Sequence, residues 1–382
     1  MTRRTAVATL AAAMAAPAFA STPSAVPEGS RRHGRPVRDG RPEATLDEPI
    51  LDPDLPIVDS LHHLFVRPRQ RYLFDEYLAD ARAGHRIVAS VYMQAGAFLR
   101  PDGPPALRGV GEVEFANGIG AMAASGEVGG VRVCAGIVGH VDLRDAEAAR
   151  FLDEAMARAP DRFRGVRQGA NRSDDPVLAR LMPQQPAGLL ADPNFRRGFA
   201  LLGSRGLTFD AAVFHPQLGD VAALADAFPN TVIVLNHAGL AIGVGRYAQD
   251  RAATFEAWRQ GMRALAARPN VRCRISGFGM PVWGFGFDRR GGAAGSAELA
   301  AAWSPYVQTA VEAFGADRCM MASNYPPDRA SAGFVPLWNA LKRSVQGASR
   351  EEKHALFSGT AARTYRIDPA RDPDPDKNSD KN

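Results

Sequence analysis

The sequence predicts a single (β/α)8 barrel, and three observations predict it. From Pro56 onward, short β-rich runs alternate with Ala/Leu/Arg-rich helical stretches. Most of the β-rich runs are continuously apolar, as parallel strands buried on both faces are, and do not alternate. About eight of them fall within roughly 300 residues, the strand count and length of a TIM barrel.

The candidate strands, in order, are residues 57–59, 87–93, 131–138, 163–166, 207–212, 231–235, 271–275 and 318–322. Helical stretches lie between them, among them 146–158, 219–227, 255–267 and 298–314. Ser349, with Glu352 three residues on, is a capping box that starts a last helix running through Lys353 to Arg366. The competing architecture, a doubly wound open sheet, would place a Gly-rich phosphate turn after its first strand. Two histidines follow Asp59 instead. Residues 277–296, after strand seven, are long, glycine-rich and aromatic, which predicts a functional loop such as a lid.

The two ends of the chain have another character. Arg3 and Arg4 precede an apolar run at 6–16, and Ala18-Phe19-Ala20 closes it with a small-x-small pattern. Residues 1–20 therefore predict a secretory signal, cut after Ala20, and a periplasmic or secreted protein. Thr2-Arg3-Arg4 also resembles a twin-arginine export signal. No later segment is apolar for the roughly 18 residues a membrane span needs, so no membrane partner is expected after cleavage. Residues 21–50 predict a flexible basic leader, 51–367 the barrel and 368–382 a disordered polar tail.

The net charge of +5 comes mostly from the first 45 residues, and the remainder is near +1. That leaves no basic face to track phosphates, so nucleic acid is not an expected partner. Cys134, Cys273 and Cys319 all lie in apolar runs and predict packing residues, not a disulfide framework. A Cys273–Cys319 bridge would require their strands to be neighbours.

In such a barrel the strand ends and the loops after them share one mouth. Strand one ends in Asp59-Ser60-Leu61-His62-His63, strand two in Gln94, strand three in His140 and Asp142, and strand four in Arg167. Strand five ends in Asp210 with His215 following, strand six in Asn236-His237, and strand seven in Ser276. Strand eight ends in Ser323-Asn324, with Asp328 beyond. Five of the eight histidines (His62, His63, His140, His215 and His237) fall at this end. One alone would be an incidental polar residue. Five together predict a site for a small-molecule substrate.

These segments resemble the amidohydrolase-related family, in its lactonase-like branch. The likeness is carried by Ile57-Val58-Asp59-Ser60-Leu61-His62-His63, Phe163-Arg164-Gly165-Val166-Arg167, Phe214-His215-Pro216, Leu235-Asn236-His237-Ala238-Gly239, Ser323-Asn324-Tyr325-Pro326 and the 360–366 segment. The resemblance implies a TIM barrel that hydrolyses a C–O or C–N bond in a small lactone-like or carboxylate-bearing substrate. It also implies a metal site built from an Asp-x-His-x-His stretch, histidines of strands five and six, and an aspartate of strand eight. Here the first of the paired histidine positions is Leu61, the strand-eight position is Asn324, and Asn236 precedes His237. Zinc needs about three or four nitrogen, sulfur or carboxylate ligands, and only His63, His215 and His237 remain. The expectation is a metal-free site without cofactor, with a zinc ion on those three histidines as the alternative.

Metal-free lactone hydrolysis needs a base for water, a group to polarise the carbonyl and an anchor for a carboxylate. Asp328 is the first candidate base, although Pro326-Pro327-Asp328 also suits a turn that starts a helix. Asp210 is the second. His63 and His237 are the expected carbonyl polarisers. Arg167 suits a carboxylate because its planar fork binds one bidentately, with an ion pair to Asp210 as the competing role. His62, Gln94, His215, Ser276 and Asn324 complete the expected substrate wall. Two other readings stay open: a metal-dependent hydrolase or decarboxylase, and a barrel that only binds a small ligand, which Leu61 and Asn324 motivate.

Overall fold

A computed structural model describes residues 48–368, apart from 69, 292 and 293. The predicted signal at 1–20, the leader up to residue 47 and the tail from 369 lie outside these. Glu48 accepts the Ser296 N–H at 2.6 Å and Leu51 N–H bonds the Asn339 side chain at 2.9 Å, so residues 48–50 belong to the folded body.

Eight parallel strands follow one another in space in chain order: β1 (Ile57–His62), β2 (Ile87–Met93), β3 (Arg132–Gly139), β4 (Phe163–Gly169), β5 (Thr208–Ala212), β6 (Ile233–Leu235), β7 (Val271–Ile275) and β8 (Cys319–Met321). The ring closes between β8 and β1. A parallel bridge joins His62 to Tyr325, Asn324 N–H bonds Leu61 O at 3.0 Å and His63 N–H bonds Tyr325 O at 2.8 Å. The chain is thus a (β/α)8 barrel, as its sequence predicts. The strands are apolar on both faces because one face meets the helices and the other the ring's interior.

Helices flank the ring, among them Val110–Ala124, Ala148–Arg158, Leu218–Ala227, Arg251–Ala266 and Ser296–Phe314. Among the described residues, none is long and apolar enough to cross a membrane. The Ser349–Glu352 capping box is present, and the helix it starts passes through a π turn at Ala355–Gly359 before ending at Tyr365. Cys273 and Cys319 are in register on neighbouring strands, and both thiols are free and buried.

The interior of the ring holds a small apolar cluster that includes Val58, Leu61, Val91, Met93, Val138, Val234 and Met320. Leu61 packs here, at the position where the family resemblance implies a ligand histidine. Within this interior sits a buried charge pair. Arg274 meets Asp210 at 2.5 Å and also donates to Asn236, Tyr365 and, at 3.3 Å, Ser60. Tyr365 reaches in from the C-terminal helix and donates to Asp210 at 3.0 Å.

Candidate active site

The β1 end and the segment after β8 lie side by side: His63 N–H bonds Tyr325 O, next to Asn324, whose side chain meets Asp328. Both Asn324 and His237 adopt positive φ, at 52° and 53°. Side chains other than glycine rarely hold that conformation, at a cost of about 1–3 kcal/mol each, and it concentrates at functional sites. His237 opens a turn after β6 in which Ala238 and Leu240 are also left-handed.

Asp328 is 1% exposed. Asn324 Nδ2 donates to its Oδ1 at 2.7 Å and Gly279 N–H to its Oδ2 at 3.2 Å. Burial pushes its pKa up to about 7, against the pull of those donors and of the Gly277 N–H. Asp328 does sit in a turn, Pro327–Ala330, yet its carboxylate faces inward. The 277–280 turn touches both Asp328 and His237. A Cβ at Gly279 would lie 2.9 Å from the Asp328 side chain, and one at Gly277 would lie 2.5 Å from His237 Nδ1. Glycine is therefore required at both positions by close approach.

His63 Nδ1 lies 2.9 Å from the Met93 carbonyl, which can only accept. The ring proton is on Nδ1, and Nε2 presents a lone pair. Burial holds its pKa well below the usual value, and the charge of Arg167 adds to this, so the ring is neutral. A neutral ring in this tautomer cannot donate to a carbonyl oxygen, so His63 does not fit the expected polarising role; it can accept a proton. His237 differs. Its Nδ1 meets the Ser276 hydroxyl at 3.0 Å. With Ser276 donating, Nε2 carries the proton and is a donor. Burial, then Arg167 and Arg274, depress its pKa.

Arg167 donates to the Gln94 main-chain carbonyl at 2.7 Å. It does not pair with Asp210, because Arg274 has taken that carboxylate. Burial lowers the Arg167 pKa to about 10, still cationic at neutral pH, and its influence on both His63 and His237 places the three groups in one neighbourhood.

Several expected site residues have other surroundings. His62 is buried, stacks on Tyr77 at 4.0 Å and meets the Ser90 hydroxyl at 2.9 Å. It faces the helix layer, not the mouth. Asp210 lies in the ring interior with both oxygens engaged. Asn324 serves Asp328 instead of the substrate wall, and Gln94 supplies its carbonyl to Arg167. His215 Nδ1 accepts the Ile242 N–H at 3.3 Å, and its ring meets Tyr247 edge-on at 5.2 Å. His140 is exposed and donates to the Arg167 carbonyl at 2.9 Å.

Sequence reasoning missed Arg274, Tyr365 and Glu112. Glu112 accepts from Ala95 N–H at 2.6 Å and from Tyr92 at 2.9 Å, bracing the segment that holds Arg167. Arg274 was findable as one of two arginines in the strand Val271–Ile275, Val-Arg-Cys-Arg-Ile.

A family model for amidohydrolases matches residues 58–367. The uncharacterized protein y4mH of Sinorhizobium fredii is 33% identical over 78% of this chain and 86% of its own length. L-fucono-1,5-lactonase of Burkholderia ambifaria is 30% identical over 61% of this chain and 71% of its own. Among solved structures, a Burkholderia multivorans amidohydrolase with bound zinc is 26% identical with a TM-score of 0.61, covering 82% of this chain and 99% of that one. Another crystal form of a Burkholderia multivorans amidohydrolase, with bound HEPES, is 27% identical at the same TM-score of 0.61. The chain belongs to the amidohydrolase family and is a hydrolase on that barrel.

The zinc of that relative poses a test for this donor set. His215 has its Nδ1 lone pair engaged and its proton on Nε2, so no ligand lone pair is open. Leu61 cannot ligate, the Asn324 Nδ2 is bound to Asp328, and a neutral amide oxygen is a weak ligand for zinc. Among the described residues, no group of three or more His, Cys, Asp and Glu side chains stands where it could hold an ion. The residues present do not fit a zinc centre.

Proposed function

We propose that this hydrolase opens a small lactone, or a related ester bearing a carboxylate, without a metal ion. The observation that carries the reading is Asp328, a buried carboxylate whose pKa is pushed up to about 7 and which packs under the same 277–280 turn as His237. A base is most useful with its pKa near the working pH. Ionised Asp328 takes a proton from water as the oxygen attacks the lactone carbonyl. Nε2–H of His237, held by Ser276, donates to the carbonyl oxygen as charge develops there. Arg167 binds the substrate carboxylate. The C–O bond of the ring then breaks, and protonated Asp328 returns the proton to the leaving oxygen. His63 Nε2 accepts a hydrogen bond from a substrate hydroxyl. The role of Asn324 in orienting the base gives its amide a use in catalysis, which weighs against a barrel that only binds.

Replacing Asp328 with Asn keeps the shape and removes the base. The expected loss in kcat/KM on a panel of sugar lactones is about 10²- to 10⁴-fold, with the far-ultraviolet circular dichroism unchanged. Undiminished turnover by folded D328N would end this assignment.

The zinc-bound relative motivates a second reading, metal-dependent hydrolysis, against which the donor set of His63, His215 and His237 argues. Metal analysis of protein purified without chelator decides between them, and stoichiometric zinc would favour the second. Export is part of the proposal, because residues 1–20 have the order of a cleaved signal. Sequencing the amino terminus of protein recovered from the periplasm should find Ser21.

A further inference from the structure

We propose that the foot of the barrel, opposite the mouth, binds a small oxyanion carrying more than one negative charge, held by Arg272, Arg318, Arg363 and Arg366. A cleft of about 790 Å³ opens there. Thr208, Arg272 and Arg318 on its wall stand at or just before the amino-terminal ends of β5, β7 and β8, which fixes the end of the ring it occupies. Sites for small molecules commonly enclose about 300–1,000 Å³.

Among the described residues, none of the four arginines is paired with a carboxylate. Arg272 donates to the carbonyls of Pro269 at 2.7 Å and Val271 at 3.2 Å. Arg318 donates to those of Phe314 and Ala266, both at 2.9 Å. Arg363 bonds the Asp317 carbonyl at 3.3 Å and the Thr360 hydroxyl at 3.1 Å, and Arg366 the Gly206 carbonyl at 2.8 Å. These bonds aim the guanidinium planes and neutralise nothing. Arginines close by are treated differently: Arg268 pairs with Asp226 at 2.8 Å and Arg205 with Asp153 at 2.9 Å. On the cleft wall the one carboxylate among the described residues is Asp317.

Like charges gathered in one concavity oppose one another, and the pKa of Arg272 is lowered by burial and by the charges of Arg318 and Arg363. A counter-charge would relieve that opposition. General basicity does not explain the cluster, since the barrel segment is near neutral overall. A guanidinium presents five N–H donors in a fork suited to paired oxygens, so several of them converging favour phosphoryl or carboxylate groups. A singly charged ion would leave most of this charge unmatched. Asn230 and Thr364, also on the wall, add polar contacts for the remainder of such a ligand.

The test is calorimetric titration of the full chain with pyrophosphate and, separately, citrate. The expected result is one site per chain for at least one of them, weakened tenfold or more in R363A/R366A. Tighter pyrophosphate assigns the phosphoryl class, and tighter citrate the carboxylate class. Arg363 and Arg366 are exposed and each bonds the fold by few contacts, so the double variant should fold, which a thermal melt without ligand checks. Lactone turnover in that variant should match the parent, so this proposal and the one for the mouth fail separately. Binding that is absent, or unchanged in R363A/R366A, overturns the proposal. So does binding seen only after removal of residues 369–382, because the acidic Asp372, Asp374, Asp376 and Asp380 of the chain would then be the occupant.

Discussion

Asp210 in the ring interior and Asp328 at the mouth are both removed from water, at 0% and 1% exposure, and their surroundings are opposite. Asp210 meets the Arg274 guanidinium at 2.5 Å and the Tyr365 hydroxyl at 3.0 Å, so its charge is matched. Asp328 meets an amide and main-chain N–H groups, which donate without cancelling charge. Burial then dominates and lifts its pKa to about 7. Burial alone does not mark a reactive carboxylate. The absence of a countercharge does, because the group can then gain and lose a proton near neutral pH.

The largest way to break this contrast is Arg274→Ala. It leaves Asp210 charged, buried and without its cation, which costs about 3–5 kcal/mol of folding stability. Urea unfolding should show that loss. A change below about 1 kcal/mol would mean that the interior pair is hydrated and unlike the one described.

Asp328 should behave with the opposite sign. Its folded pKa of about 7 lies above the unfolded value, so the folded state holds the proton more tightly. This group's contribution to stability is full below about pH 4 and is lost as pH rises through about 7. D328N lacks that dependence. Each pKa unit corresponds to about 1.4 kcal/mol, so the stability difference between parent and D328N should shift by on the order of 4 kcal/mol between pH 4 and 8. The same ionisation should appear as an acid limb in kcat/KM, with activity falling below pH about 7. Parallel pH–stability curves for the two proteins would remove the distinction between the carboxylates.

The barrel was legible because its signals are repetitive: apolar runs of strand length, separated by helical stretches, in the right number. The positions of strand ends were legible for the same reason, and they yielded His63, Arg167, His237, Ser276 and Asp328 as residues of one end. Which way each side chain points was not. Between Asp59 and His62 the β1–β2 register shifts, and a one-residue slip sends a side chain to the other face. The Asp210–Tyr365 bond joins residues 155 apart in the chain, and no local pattern announces a contact at that range. Likewise, the Asn324 amide reads as a lost ligand until its 2.7 Å bond to Asp328 is seen.

The smallest expected effect belongs to His62, which the motif places beside His63 and the fold turns away from it. His62 Nε2 bonds the Ser90 hydroxyl, which also accepts the Cys134 N–H at 3.1 Å, while Nδ1 has no hydrogen-bond partner among the described residues. Burial holds the His62 pKa down at about 3, so the ring stays neutral. His62→Phe keeps the stack on Tyr77, gives up the Ser90 bond and removes the unpaired ring nitrogen. These changes offset, and stability should move by no more than about 1 kcal/mol. Because no step proposed for the mouth uses the imidazole of His62, kcat/KM and its pH profile should match the parent. A loss as large as that of D328N would put His62 back among the reacting groups and erase the division between the two faces of β1.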